Sequence, residues 1–196
     1  MGREHLEKTK DSIYYLEDQS ISVNDFCSPG LILDIGGGGE GIIGQLKGTQ
    51  VISIDLYREE LEEAPDGPLK IVMDAEATSF LDHSFEVITS FCTLMYIDPA
   101  KQELVLEEIF RVLKPGGRFL VWDVILSKCP DESKEAIAFY LNVNLPGKKI
   151  RTGYGTRCPH KCLDISWYKN IAEQVGFVVS RKEVTQRLFF LELLKS

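Results

Sequence analysis

Apolar residues fall along this chain in short runs, each closed by a polar, glycine-bearing or proline-bearing turn. Residues 31–35 (LILDI), 51–55 (VISID), 69–73 (LKIVM), 85–90 (FEVITS) and 118–125 (RFLVWDVI) read as strands. The early ones are apolar on both faces, the pattern of a parallel sheet covered by helices. Between them the period changes. Ile42, Ile43 and Leu46 open a helix directly after a glycine run, and the charged stretch 58–63 suggests a short one ended by Pro65-Asp66-Gly67-Pro68. Asp98-Pro99 opens the clearest helix, with Leu106, Ile109, Phe110 and Leu113 on one stripe and Glu107 and Arg111 at i,i+4 spacing. Pro115-Gly116-Gly117 turns the chain into the fifth strand. Asp164 or Ser166 caps a further helix carrying Trp167, Ile171, Ala172 and Val175, which Gly176 ends. Residues 177–182 and 188–194 predict a closing hairpin. Residues 4–18, with Leu6, Ile13, Tyr14 and Leu16, predict a polar helix, and residues 126–163 show no assignable pattern.

Alternating strands and helices define an α/β domain, and 196 residues suffice for one such core. The expected division is an N-terminal helical cap over 1–27 and one domain over 28–196, with 126–165 on the substrate side. The net charge is 22 − 30 = −8. Nucleic-acid binding is therefore not expected, although Lys148, Lys149, Arg151, Arg157 and Lys161 make a mild basic cluster. No apolar run reaches membrane-spanning length, so no membrane partner is expected. Five scattered cysteines and a polar start suggest a reduced, cytoplasmic protein; the oligomeric state is left open.

The chemistry concentrates at the strand ends, where ligands of parallel sheets bind. Five glycines at 36–39 and 41 follow the first strand, a loop that lets a ligand lie against the backbone. The first three strands run into Asp34, Asp55 and Asp74. Asp55 lies 21 residues after Asp34, where a carboxylate can accept both hydroxyls of a ribose. Leu56 can cover a base, Asp74 and Ala75 can meet its edge, and Ser90 with Phe91 closes the other side.

These stretches, LILDIGGGGEG (31–41), VISIDL (51–56), VMDAEA (72–77), HSFEVITSFCTLMYID (83–98) and LKPGGRFLVWDV (113–124), resemble the class I S-adenosylmethionine-dependent methyltransferases. The resemblance covers roughly residues 30–125, and the final two strands also fit. It implies a single Rossmann-like, three-layer domain whose seven-stranded, mostly parallel sheet has an antiparallel last strand. It implies S-adenosyl-L-methionine as cofactor. Asp34 would order the loop near the methionine end, with Gly36, Gly37 and Gly38 along the cofactor. Asp55 would hold the ribose, Leu56 the adenine face, Asp74 and Ala75 the adenine amino group, and Ser90 and Phe91 would flank the methionine. The family's acid-x-Gly-x-Gly-x-Gly is kept only as far as Gly38: Glu40 stands at the next position, with glycine one residue later.

Gly36-x-Gly38-x-x-Gly41 also satisfies a dinucleotide fingerprint, the rival NAD reading. Asp34 beside the glycines argues against it, since a pyrophosphate gains nothing from a carboxylate while an aminoacyl sulfonium does. Methyl transfer is an in-line displacement in which the protein mainly positions reactants, so no obligatory catalytic side chain is assigned. Tyr14, Cys92, Thr93, Tyr96 and Asp123 are the substrate-side candidates. Helix packing is the favoured reading of Tyr14 and loop packing serves Cys92 and Thr93 at least as well, while Tyr96 could equally bury its ring against the following helix and Asp123 could be a solvated strand end. No Asn-Pro-Pro-Tyr type of sequence follows the fourth strand, which leans toward a small-molecule acceptor. Cys158, His160 and Cys162 give three metal ligands on one loop, with Cys129 a distant fourth, and reduced thiols are the simpler reading. A protein that binds the cofactor without turnover is the other reading of the same pocket.

Overall fold

The computed structural model describes residues 10–196. Two short strands come first, β1 (Ile13–Tyr15) and β2 (Gln19–Ser22). The repeating part follows: β3 (Ile32–Ile35), α1 (Ile42–Lys47), β4 (Val51–Asp55), α2 (Arg58–Glu63), β5 (Leu69–Val72), β6 (Phe85–Phe91), α3 (Gln102–Val112) and β7 (Leu113–Val124). A long hairpin, β8 (Ala136–Leu145) and β9 (Lys148–Arg157), precedes α4 (Ile165–Val175), β10 (Phe177–Thr185) and β11 (Leu188–Lys195).

Seven strands form the main sheet in the order β10-β11-β7-β6-β3-β4-β5. Pairs from β5 to β7 are parallel, and β11 runs antiparallel to both β7 and β10. This is the expected α/β sheet with its last strand reversed. The two longer helices form where the sequence predicts them, although α3 begins at Gln102 rather than at Asp98-Pro99, and Leu113 passes to β7. In α3 the buried positions are Gln102, Val105, Leu106, Ile109 and Val112. At α4 one oxygen of Asp164 accepts from the Ser166 and Trp167 amides, both at 2.9 Å, and Gly176 ends the helix at φ 115°.

Three expectations change. The polar helix over 4–18 does not appear in its described part: residues 10–12 make one 3-10 turn, and β1 begins at Ile13. Residues 4–9 lie outside the described residues. Within 10–27 the segment holds that turn and two strands in place of the expected helix. Tertiary pairing decides this, since β1 and β2 both add in parallel to β8. Second, Arg111 pairs with Glu108 at 2.6 Å and with Asp82 at 2.5 Å rather than with Glu107. Third, residues 126–163 are not irregular. Ile137, Phe139, Leu141, Val143 and Leu145 alternate inward along β8, and Pro146-Gly147 turns directly into β9, with Gly147 at φ 73°. With β1 and β2 on its other edge, β8 makes a second, four-stranded sheet. Phe139, Leu141, Val143 and Leu145 belong to the same buried cluster as the main sheet, so both sheets share one core.

Candidate functional site

A cleft of about 450 Å³ opens where β3, β4 and β6 end. Its floor is the glycine loop. Gly36 and Gly37 donate to the Ile54 carbonyl at 2.8 and 3.1 Å, and Gly39 donates to the Glu60 carbonyl at 2.8 Å, which ties the loop to β4 and α2. Side chains are excluded by space as well as by backbone angle. A Cβ on Gly36, at φ 70°, would lie 2.3 Å from Thr93, and one on Gly38 would lie 2.6 Å from Glu60 and 2.8 Å from the Asp55 carboxylate.

Gly36, Gly38, Asp55, Leu56, Asp74, Ala75, Phe91, Cys92, Thr93 and Tyr96 all line this cleft. Asp55 stands at the end of β4, half-buried, its pKa raised chiefly by burial although the Tyr57, Gly38 and Leu56 amides oppose the rise. The next side chain, Leu56, is 55% exposed. An apolar side chain left in water beside a recessed carboxylate is an arrangement that a nucleoside would complete. Asp74 is held in a tight turn by the Glu76 amide at 2.9 Å.

Asp34, Gly37, Ser90 and Asp123 do not face the cleft. Asp34 lies beneath the loop, accepting from Thr89 Oγ1 at 2.7 Å, and burial raises its pKa to about 7. A Cβ on Gly37 would meet Asp34 and Ser53. Ser90 is fully buried, and among the described residues its hydroxyl has no partner. Asp123, one of the substrate-side candidates, is buried too. It accepts from the Val124 and Met95 amides at 2.7 and 3.3 Å, and burial raises its pKa to about 7. It thus anchors the turn after β6, which carries Cys92 at φ 50°, a left-handed angle uncommon for a side-chain-bearing residue. Buried Gln102 holds the same turn through the Leu94 carbonyl at 2.9 Å and receives the Trp167 indole at 2.7 Å. Tyr14 lies on β1, paired with Ile137, and is not part of the cleft.

The opposite wall comes from β9, through Gly153, Tyr154 and Gly155. Thr152 on the same strand donates to the Glu40 carboxylate, which joins β9 to the glycine loop. The Gly155 amide meets the Tyr96 hydroxyl, so this tyrosine has a half-open ring and a buried oxygen, and its pKa rises. Sequence reasoning missed Thr152, Tyr154 and Gln102. The alternation of residues 137–145 before Pro146-Gly147 was the signal for the first two.

Among the described residues no three His, Cys, Asp or Glu side chains gather as a metal site. Cys158 lies beside Cys129, and burial with that thiol contact pushes it up to about 12, while Cys162 hydrogen-bonds Asp164.

The fold has known counterparts. A family model described as a methyltransferase domain matches residues 33–121. The ubiquinone/menaquinone biosynthesis C-methyltransferase UbiE of Desulfotalea psychrophila is 40% identical over 80 residues, 38% of this chain and 32% of that protein. The chain spans about a third or less of the length of the curated relatives it matches. Among solved structures, a SAM-dependent methyltransferase from Methanosarcina mazei superposes with a TM-score of 0.61 at 20% identity, covering 87% of this chain and 94% of that one. A glycopeptide N-methyltransferase, MtfA, in complex with S-adenosylmethionine gives 0.55 at 16%, covering 85% and 87%. Residues 33–121 thus match a methyltransferase domain, and the chain shares the fold of solved S-adenosylmethionine-dependent methyltransferases.

Proposed function

We propose that this chain transfers a methyl group from S-adenosylmethionine to a small-molecule acceptor. The observation that carries the reading is the juxtaposition of recessed Asp55 with exposed Leu56 above a glycine floor that admits no Cβ. Asp55 would accept from the ribose hydroxyls and Leu56 would cover the adenine. Asp74 and Ala75 would meet the adenine amino group. Gly36, Gly38 and Phe91 would flank the methionine part. Asp34, Gly37 and Ser90 act from below, shaping the loop rather than touching the ligand. The bound cofactor would supply the activated methyl carbon, and the chain would supply orientation, which alone reaches about 7–11 kcal/mol in favourable systems. Glu40, Asp55 and Glu60 line one cleft, which would repel the pyrophosphate of NAD.

The acceptor enters from the side of residues 126–165, because β9 forms the wall facing the glycine loop. The name of the UbiE relative, a C-methyltransferase of quinone biosynthesis, supports a small molecule over a nucleic acid. No described helix is long and apolar enough to cross a membrane. Five scattered cysteines support a reducing, cytoplasmic setting. Calorimetric titration with S-adenosylmethionine, and separately with NAD, tests the reading. Micromolar binding of the sulfonium alone is expected, and binding of NAD alone or of neither would overturn it.

A further inference from the structure

We infer that Cys129 and Cys158 are a redox modification site, where a small disulfide such as glutathione disulfide oxidises the two thiols to an intramolecular disulfide that clasps the segment after β7 to the end of β9. The inference does not depend on what the cleft binds.

The fold brings the two thiols together by fixing the chain around each. Cys129 lies in the link between β7 and β8. Leu126 exchanges two backbone hydrogen bonds with Leu163, at 3.0 and 2.8 Å, so the start of this link runs beside the segment that leads from β9 into α4. The far end of the link is held by the Glu135 amide, which donates to the Ser12 carbonyl at 2.9 Å. Between the two ends a turn closes on Asp131, whose carboxylate accepts from the Ser133 amide at 2.9 Å. Cys158 is the first residue past β9, and its amide donates to the Glu135 carbonyl at 2.9 Å. The result is a direct hydrogen bond between the Cys129 and Cys158 thiols. A disulfide sets its sulfurs about 2.05 Å apart, so closing the bond requires a small approach of two groups already in contact.

The other three cysteines are placed differently. Cys92 is buried in the turn after β6. Cys27 lies at Arg118, which donates to its carbonyl at 2.6 Å, toward the other end of β7. Cys162 is exposed, and its thiol is engaged by Asp164. Cys129 and Cys158 are both partly exposed, so an oxidant in solution reaches them. In a reducing compartment such a pair closes transiently, as a response to oxidant rather than as a permanent staple.

Burial and the Cys129 contact push the Cys158 thiol up to about 12, so Cys129 attacks first. Its thiolate forms a bond to one sulfur of glutathione disulfide as the S–S bond breaks. One glutathione leaves with the electron pair and takes up a proton. Cys158 then loses its proton and attacks the Cys129 sulfur of the mixed disulfide, expelling the second glutathione. Two thiols are oxidised, and one glutathione disulfide is reduced to two glutathiones. The closed loop contains the whole β8–β9 hairpin, and β9 supplies Gly153, Tyr154 and Gly155 to the cleft wall. Oxidation thus fastens the base of that wall and restricts the unfolded chain.

The native protein is incubated with glutathione disulfide, its remaining thiols are blocked with N-ethylmaleimide in denaturant, and the peptides are mapped by mass spectrometry. Expected is a peptide pair linked through Cys129 and Cys158, with neither of them blocked, that dithiothreitol separates. Cys158→Ser should stop at a glutathione mixed disulfide on Cys129. In a Cys27→Ser/Cys162→Ser variant, which keeps the pair and buried Cys92, the linked form should melt about 5 °C or more above the reduced one. Blocked Cys129 and Cys158, a link that joins Cys162 or two chains, no glutathione on Cys129 in Cys158→Ser, or a linked form that melts no higher than the reduced one would each overturn the inference.

Discussion

The two walls of the cleft are built by different rules. The cofactor wall is made of strand ends in a parallel sheet, and each contact residue stands at a position that the alternation of strands and helices dictates. The β9 wall is an antiparallel hairpin inserted between β7 and α4, tied to the glycine loop by Glu40 and Thr152. The first wall is a product of topology, so any chain with this sheet has the same crevice. The second lies outside the matched residues 33–121, and it is the wall to which the proposed function assigns the acceptor.

Removing a side chain that the two walls share should give the largest effect. Leu141 is fully buried on β8, in the same cluster as Ile35 and Leu94. Leu141→Ala is expected to cost about 2–5 kcal/mol and to lower a single cooperative transition in denaturant. Two separated transitions would show instead that the small sheet folds as its own unit, and the comparison would become one between two domains.

A cut confined to the cofactor wall comes next. Asp55→Ala removes the acceptor for two ribose hydroxyls, each bond to a charged group contributing about 1.5 kcal/mol or more. Calorimetry should show S-adenosylhomocysteine affinity falling about a hundredfold, with the melting temperature close to wild type. Unchanged affinity would move the ribose away from β4.

The sequence revealed these two walls unequally. Asp55 and Asp74, each at the end of an apolar run, can be read without coordinates because strand ends open onto the crevice. The reading placed Asp123 by the same logic and failed. A strand end says where a residue lies along the sheet, but not whether a neighbouring turn closes over it, and here the Met95 amide takes the carboxylate. The hairpin was legible in principle. Ile137 to Leu145 alternate cleanly before Pro146-Gly147, yet the prolines and glycines of the surrounding stretch hid that period. Residues 10–22 were not legible at all, because β1 and β2 are too short to have a pattern and exist by pairing with β8. Glu40 was visible only as a broken motif, and its meaning needed Thr152 across the cleft.

The finest distinction between the walls lies in their two buried acids. Asp34 sits under the glycine loop with one hydroxyl partner, Asp123 under the turn after β6 with backbone amides, and burial raises both to about 7. A carboxylate whose folded pKa lies above its unfolded value binds protons more tightly in the folded state. Its contribution to stability is complete below the unfolded value of 3.8, falls as pH rises, and is gone above about 7. The protein should therefore gain stability on acidification from pH 7 to 6, by roughly 1 kcal/mol for each acid. Asp34→Asn and Asp123→Asn should each remove about half of that slope in denaturant titrations at the two pH values. Equal halves would mean that the two walls rest on equivalent buried acids. A slope that disappears with Asp123→Asn alone would mean that the amide-held turn carries the pH response and that Asp34 remains charged beneath the glycine loop. An unchanged slope in both variants would show that neither acid is protonated near neutrality.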